Sequence, residues 1–122
     1  SIFHFNEAMK AKNLSKVMEI ASLLLKNGED PIRLLALIAS NVRFYFQILC
    51  LSEQALSIQD IARSLGKNPY YLKQVLPHVK NKYSVSSLKN AFSLLNKKDI
   101  EIKSGKINAK AALSLALMGI CS

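Results

Sequence analysis

The sequence predicts an all-α fold: a compact bundle of about seven helices around one long central apolar helix, with a helix-turn-helix-like pair among them. Three observations carry this. No stretch alternates apolar and polar residues with period two, so no strand is expected. Apolar side chains instead recur three and four apart along the chain, the spacing of one helix face. Each run is bounded by helix-start and helix-stop residues (Asn13, Gly28, Asp30, Ser57, Gly66, Asn68, Ser84, Gly105, Asn108), and the connections between runs are short.

Taken in order, Phe3, Phe5, Ala8 and Met9 predict a short helix over 3–11. Asn13 caps a second over 14–26, with Val17, Ile20, Ala21, Leu24 and Leu25 on one face. Gly28 lies just past its end, where a left-handed residue closes a helix. Asp30 and Pro31 then open the longest helix, 30–51. Its Arg33, Ala36, Ser40, Arg43 and Gln47 form one narrow polar stripe, and nearly every other position is apolar. A helix of that kind is expected to be buried on most sides. A membrane span is the rival reading. Arg33, Asn41, Arg43 and Gln47 argue against it, since an arginine near mid-span costs about 2.5–3.5 kcal/mol even on insertion scales.

Ser57 starts the helix-turn-helix pair, with Asp60 at the capping-box position and Ile58, Ile61, Ala62 and Leu65 facing inward. Gly66 makes the turn, Asn68 and Pro69 start the second helix, and Leu72, Val75 and Leu76 form its inner side. Pro77 is expected to kink or end it. Ala62, Gly66 and Leu72 have the spacing of DNA-binding helix-turn-helix motifs. A base-reading helix, however, carries Arg, Asn, Gln or Ser at its exposed start, and this one presents Pro69, Tyr70, Tyr71, Lys73 and Gln74. A packing pair is the preferred reading, and a helix-turn-helix transcriptional regulator the alternative.

Ser84 opens a helix over 85–104, with Val85, Leu88, Ala91, Phe92, Leu95 and Ile102 as its apolar stripe. Asp99 falls on that stripe, where a covered carboxylate needs a cation. Arg43 is the first candidate for a structural ion pair, and Lys103, one turn on, is the alternative. Asn108 opens the last helix, 109–118. Its Leu113, Leu115, Leu117 and Met118 cannot all face one bundle, because positions two apart point to different sides of a helix. Their outer surface is expected to be an assembly surface.

At 122 residues, half of them hydrophobic, the chain can bury a core without disulfide or metal. Cys50 and Cys121 have no metal-ligand or redox spacing and read as small apolar residues of a reducing cytoplasm. His4 and His78 stand alone. There is no phosphate loop and no nucleophile elbow, and Asp99 and Glu101 point apart on a helix. No catalytic, metal or cofactor site is expected. The first residues, Ser1, Ile2 and Phe3, begin mid-pattern, which reads as a domain excised from a longer protein. Of the net charge of +9, none comes from residues 1–61, where six basic side chains meet six acidic ones. Residues 62–122 hold eleven basic and only Asp99 and Glu101 as acids, and 63–98 has no acid at all. Such asymmetry points to nucleic acid or an acidic partner on one side, against the plainer reading of a solvated lysine face.

Three segments resemble one family in order and spacing. LLKNGEDPIRLLALIASNVRFYFQ is similar to the start of the collar domain of the bacterial DNA polymerase III delta subunit, a clamp-loader subunit. SIQDIARSLGKNPYYLKQVL resembles its next two helices, and LKNAFSLLNKKDIEIKSGKINAKAALSLAL its end. A gamma-type or delta-prime-type collar is the neighbouring reading. The resemblance spans Phe3 to Met118 and implies an all-helical, non-catalytic oligomerisation domain of a chain whose two N-terminal ATPase-like domains are absent here. The parent holoenzyme would be a DNA-directed DNA polymerase. The implied partners are the other clamp-loader subunits, through the collar, and primed DNA, weakly and without sequence preference. The sliding clamp would be met only through the absent domains, and no membrane is involved. Candidate phosphate contacts are Arg63, Lys67, Lys73, Lys103 and Lys106. Lys67 lies beside a helix start, which favours an anion. Lys103 and Lys106 flank a helix end, whose carbonyls disfavour one.

Overall fold

Residues 1–122 form seven helices and no strand in the computed structural model: α1 (Ile2–Lys10), α2 (Leu14–Lys26), α3 (Pro31–Ser52), α4 (Ile58–Leu65), α5 (Pro69–Lys82), α6 (Val85–Lys103) and α7 (Ala109–Cys121). Their starts follow from local chemistry. The side chains of Asn13, Asp30, Ser57, Asn68, Ser84 and Asn108 each accept a hydrogen bond from an otherwise free N–H of the first turn. The reciprocal capping box lies at the start of α6, not of α4. There the Ser87 hydroxyl accepts from the Ser84 N–H at 3.0 Å, while Ser84 Oγ accepts from the Ser87 N–H at 2.9 Å. Asp60 turns instead to Arg63. Gly66 ends α4 at φ +65°, a backbone conformation open to glycine without steric cost.

A single cluster of 26 buried residues takes members from all seven helices, so no helix stands apart from the bundle. Helix α3 packs against α4, α5, α6 and α7, while α1 lies on α2 and α5, and α7 on α2 and α6. The buried face of α3 is Leu34, Ile38, Val42, Tyr45, Ile48 and Leu49, and its stripe of Arg33, Ala36, Ser40, Arg43 and Gln47 lies in solvent. By length and composition α3 could cross a membrane. Six core residues shared with four neighbouring helices account for its apolarity within the bundle. It is not covered on most sides, however. Ile32 is 46 % exposed, and Leu35, Leu37, Phe44 and Phe46 are only partly covered.

Helix-to-helix adhesion is apolar. All six ion pairs join residues three or four apart, and no charged or polar residue is buried. Side-chain hydrogen bonds between helices occur at two places. Asn41 Nδ2 donates to Asn6 Oδ1 at 2.8 Å, and the Tyr83 hydroxyl donates to the Met9 carbonyl with Cys121 Sγ beside it at 4.0 Å.

Two expected helix ends are overridden by packing. Pro77 does not end α5, which continues to Lys82. The ring is exposed, while Val75, Leu76 and Val79 on either side of it are buried and hold the backbone in helical register. Helix α7 does not stop at Met118 but runs on to Cys121. Burial of Ile120 and Cys121 carries the helix on, and Gly119 lets it lie close to α6, since Leu94 Cδ2 lies 2.4 Å from where a Cβ would be.

Candidate assembly and nucleic-acid surfaces

No three His, Cys, Asp or Glu side chains converge anywhere, and His4 and His78 are both exposed. Chemistry-bearing residues are therefore scattered. The largest depression is a groove of about 460 Å³ between α3 and α6, lined by Ile32, Leu35, Ala39, Leu95 and Ile102, with Arg43 and Asp99 on its walls.

That groove corrects one expected ion pair. Asp99 Oδ2 meets Lys103 Nζ at 2.8 Å, and Arg43, on the other wall, has no carboxylate partner within salt-bridge distance. The reason is exposure: Asp99 sits at the open edge of the stripe, where a partner on its own helix is nearest and burial demands no other. Lys98 and Glu101 form a more covered pair at 2.9 Å on the same helix. The hydrogen bond from Lys98 holds the Glu101 carboxyl below its usual pKa, and the neighbouring positive charges act in the same direction.

The four residues expected at the outer surface of α7 divide as their spacing requires. Leu113 and Leu117 are buried with Ala112, Ala116 and Ile120, and so are removed from the assembly surface. Leu115 is 42 % and Met118 47 % exposed. Positions 115 and 118 are three apart, so their exposed apolar side chains share one side of the helix.

The basic residues divide less simply. Arg63, Lys67, Lys73, Lys103 and Lys106 are all exposed. Arg63 is paired with Asp60 at 3.4 Å, and Lys103 with Asp99. Lys67, Lys73 and Lys106 have no acidic partner. Lys67 does not lie beside a free helix start, because Asn68 Oδ1 already accepts the N–H groups of Tyr70 and Tyr71. What holds Lys67 is an aromatic ring: its ammonium lies 5.3 Å from the centre of Phe44. Tyr71 stacks on that same ring, with centroids 6.1 Å apart and planes 18° from parallel. Sequence reasoning missed this cluster. The adjacent Tyr70 and Tyr71 beside Lys67 in an acid-free stretch were the signal, but their partner Phe44 lies on a different helix.

The family model described as the DNA polymerase III delta subunit, C-terminal domain, matches residues 1–120. The chain belongs to this family. The DNA polymerase III subunit delta of Bacillus subtilis (strain 168) is 27% identical to it over 118 residues, which is 97% of this chain and 34% of that protein. The solved Bacillus subtilis DNA clamp loader delta protein superposes with a TM-score of 0.81 at 27% identity, covering 98% of this chain and 35% of that one. This delta C-terminal domain thus spans about a third of the length of each relative. The seven-helix architecture, including the α4–α5 pair, is that of a clamp-loader component. The family resemblance read from the three segments is borne out.

Proposed function

We propose that this delta C-terminal domain is the collar through which its parent subunit is held among the other clamp-loader subunits. In that role it serves, without catalysis of its own, the loading of a sliding clamp onto primed DNA in the replicating bacterial cytoplasm. The observation that carries the reading is the correspondence in fold over 98% of the chain with a DNA clamp loader delta protein. The exposed apolar pair Leu115 and Met118, on the side of α7 turned away from its buried face, supports it, since such residues favour a covering partner. The chain is one domain of a longer protein, and contact with the clamp belongs to the rest of that protein. The basic half meets the phosphates of primed DNA without reading bases. Nothing on the exposed start of α5 favours the transcriptional-regulator alternative, because Asn68 is occupied as a cap and no arginine stands there.

The test is assembly. The full-length subunit, mixed with the remaining loader subunits, forms one complex on a sizing column. The same subunit lacking residues 1–122 stays outside it. A complex of unchanged size and yield from the shortened subunit would overturn the proposal.

A further inference from the structure

We propose that the groove between α3 and α6 receives a helix of a neighbouring loader subunit, seated by its apolar face and held at one end by a carboxylate against Arg43. The inference rests on the assembly reading and adds to it a second surface and the chemistry of its partner. It starts from the faces that line the groove. Helix α3 contributes Ile32, Leu35, Ala36, Ala39 and Arg43, which recur three and four apart and so lie along one face. Helix α6 contributes Leu95, Asp99 and Ile102 at the same spacing. The α3 wall runs from position 32 to 43, roughly 16 Å or about three helical turns. Ala36 and Ala39 are the small residues of that wall, where another backbone can come close. Ile32 and Ala36 are exposed, so the fold itself leaves the floor uncovered. Two helix walls with apolar residues at this spacing are what a third helix needs to lay its apolar face between them.

The charge around the groove selects the occupant. Asp99 is neutralised by Lys103, and Lys98, which also lines the groove, by Glu101. Arg43 is the one charged residue of the groove without a partner. A helix laid over the groove would take its guanidinium out of water, which is costly unless the occupant brings an acid to it. The apolar end at Ile32 and the cationic end at Arg43 thus fix the direction of the partner helix. It carries apolar residues three and four apart and a carboxylate at the end that meets Arg43. A second copy of this chain offers little of that kind. Six of its eight acids already hold a cation within four residues, and Asp30 caps α3. A nucleic-acid strand could meet Arg43 but not the apolar floor. No residue of α7 lines the groove, so it is separate from the exposed Leu115 and Met118. A subunit held among several others needs unlike faces for unlike neighbours.

The test uses the full-length subunit and the other loader subunits. Arg43 and Ala36 are exposed, so Arg43→Glu and Ala36→Trp should leave the circular dichroism spectrum unchanged. Arg43→Glu is expected to lower the affinity for the rest of the loader about thirtyfold or more, the lower end for losing one partner of a buried charge pair. Ala36→Trp fills the groove without altering charge and is expected to weaken assembly as well. A benzophenone amino acid in place of Asn96, exposed on the rim, is expected to link to another loader subunit on illumination of the assembled complex. A link to a second copy, or to another part of the same chain, would overturn the assignment of the occupant. No link at all in the assembled complex would overturn the docking, and this readout needs no variant that disturbs the groove. Folded Arg43→Glu and Ala36→Trp proteins that both assemble as wild type does would also overturn it. The assembly reading would then stand, because it fails only if the subunit lacking residues 1–122 still joins the complex.

Discussion

Tyr83 ties together elements far apart in sequence. Its hydroxyl donates to the carbonyl of Met9, its ring lies 5.2 Å from that of Tyr45, and the Lys12 ammonium sits 5.4 Å from its centre. Burial, and then the neighbouring Cys121 thiol, push the Tyr83 hydroxyl far above its ordinary pKa; burial first and then Tyr71 do the same for Tyr45. The folded state thus favours the neutral phenols. Their stabilisation is complete below the ordinary tyrosine pKa of about 10 and is lost as pH rises beyond it. Tyr83→Phe removes one of two hydrogen bonds to the Met9 carbonyl, which keeps the Lys12 N–H, and should cost about 0.5–1.5 kcal/mol at neutral pH. It should also reduce the loss of stability on the alkaline side, and urea unfolding at neutral and alkaline pH measures both effects. Asp99 shows why residue-level pairs are hard to read. Lys103 lies one turn along the same helix and Arg43 on a different one, and only the three-dimensional distance chooses between them. The Asp99–Lys103 pair is exposed, so a double-mutant cycle should give about 0.3–0.5 kcal/mol of coupling. The cycle of Asp99→Asn with Arg43→Met should give none.

At the scale of the element, starts were legible, and so were the ends closed by Gly28, Gly66 and Gly105; the ends of α5 and α7 were not. Caps are local: Asn13, Asp30, Ser57, Asn68, Ser84 and Asn108 satisfy N–H groups two or three residues on, and no distant contact is needed to make them work. Helix ends depend on what the next residues can bury. Pro77 was expected to kink or end its helix and the last helix to finish at Met118, yet Val79, Ile120 and Cys121 are core residues and carry their helices on. Pro77 therefore sits at a position where it forfeits a helical hydrogen bond. Replacing a mid-helix proline by alanine gains about 3 kcal/mol of propensity, less about 1 kcal/mol for the looser unfolded chain. Pro77→Ala should stabilise the domain by about 2 kcal/mol, visible as a raised Tm; an unchanged or lowered Tm would mean that the ring makes contacts worth the lost bond. The side chains of α7 were half legible. Spacing alone said that Leu113, Leu115, Leu117 and Met118 could not share a face. Which pair goes in depends on the neighbouring helices α2, α3 and α6.

Across the whole molecule, fold and charge are separable. The core joins all seven helices through apolar contacts, with every ion pair local to one helix or its start. Helical circular dichroism of residues 1–122 should therefore survive both EDTA and reductant, since Cys50 and Cys121 are free and no three His, Cys, Asp or Glu side chains converge. A large loss of signal with either reagent would refute that. The charge asymmetry was plain in the sequence because it is a matter of counting. The stacked Phe44–Tyr71 pair was not, because it joins residues 27 apart that only the packing of α5 on α3 brings together.

The claim that this domain holds its subunit in the loader is tested most directly at α7. The full-length subunit carrying both Leu115→Glu and Met118→Glu is mixed with the other loader subunits and sized, beside wild type and beside a Leu113→Glu protein. Leu113 is core, so its charge should unfold the domain, while charges at 115 and 118 should leave the circular dichroism spectrum unchanged. The account predicts that the folded double variant is excluded from the complex that wild type enters. A double variant that keeps its fold and assembles as wild type does would contradict it.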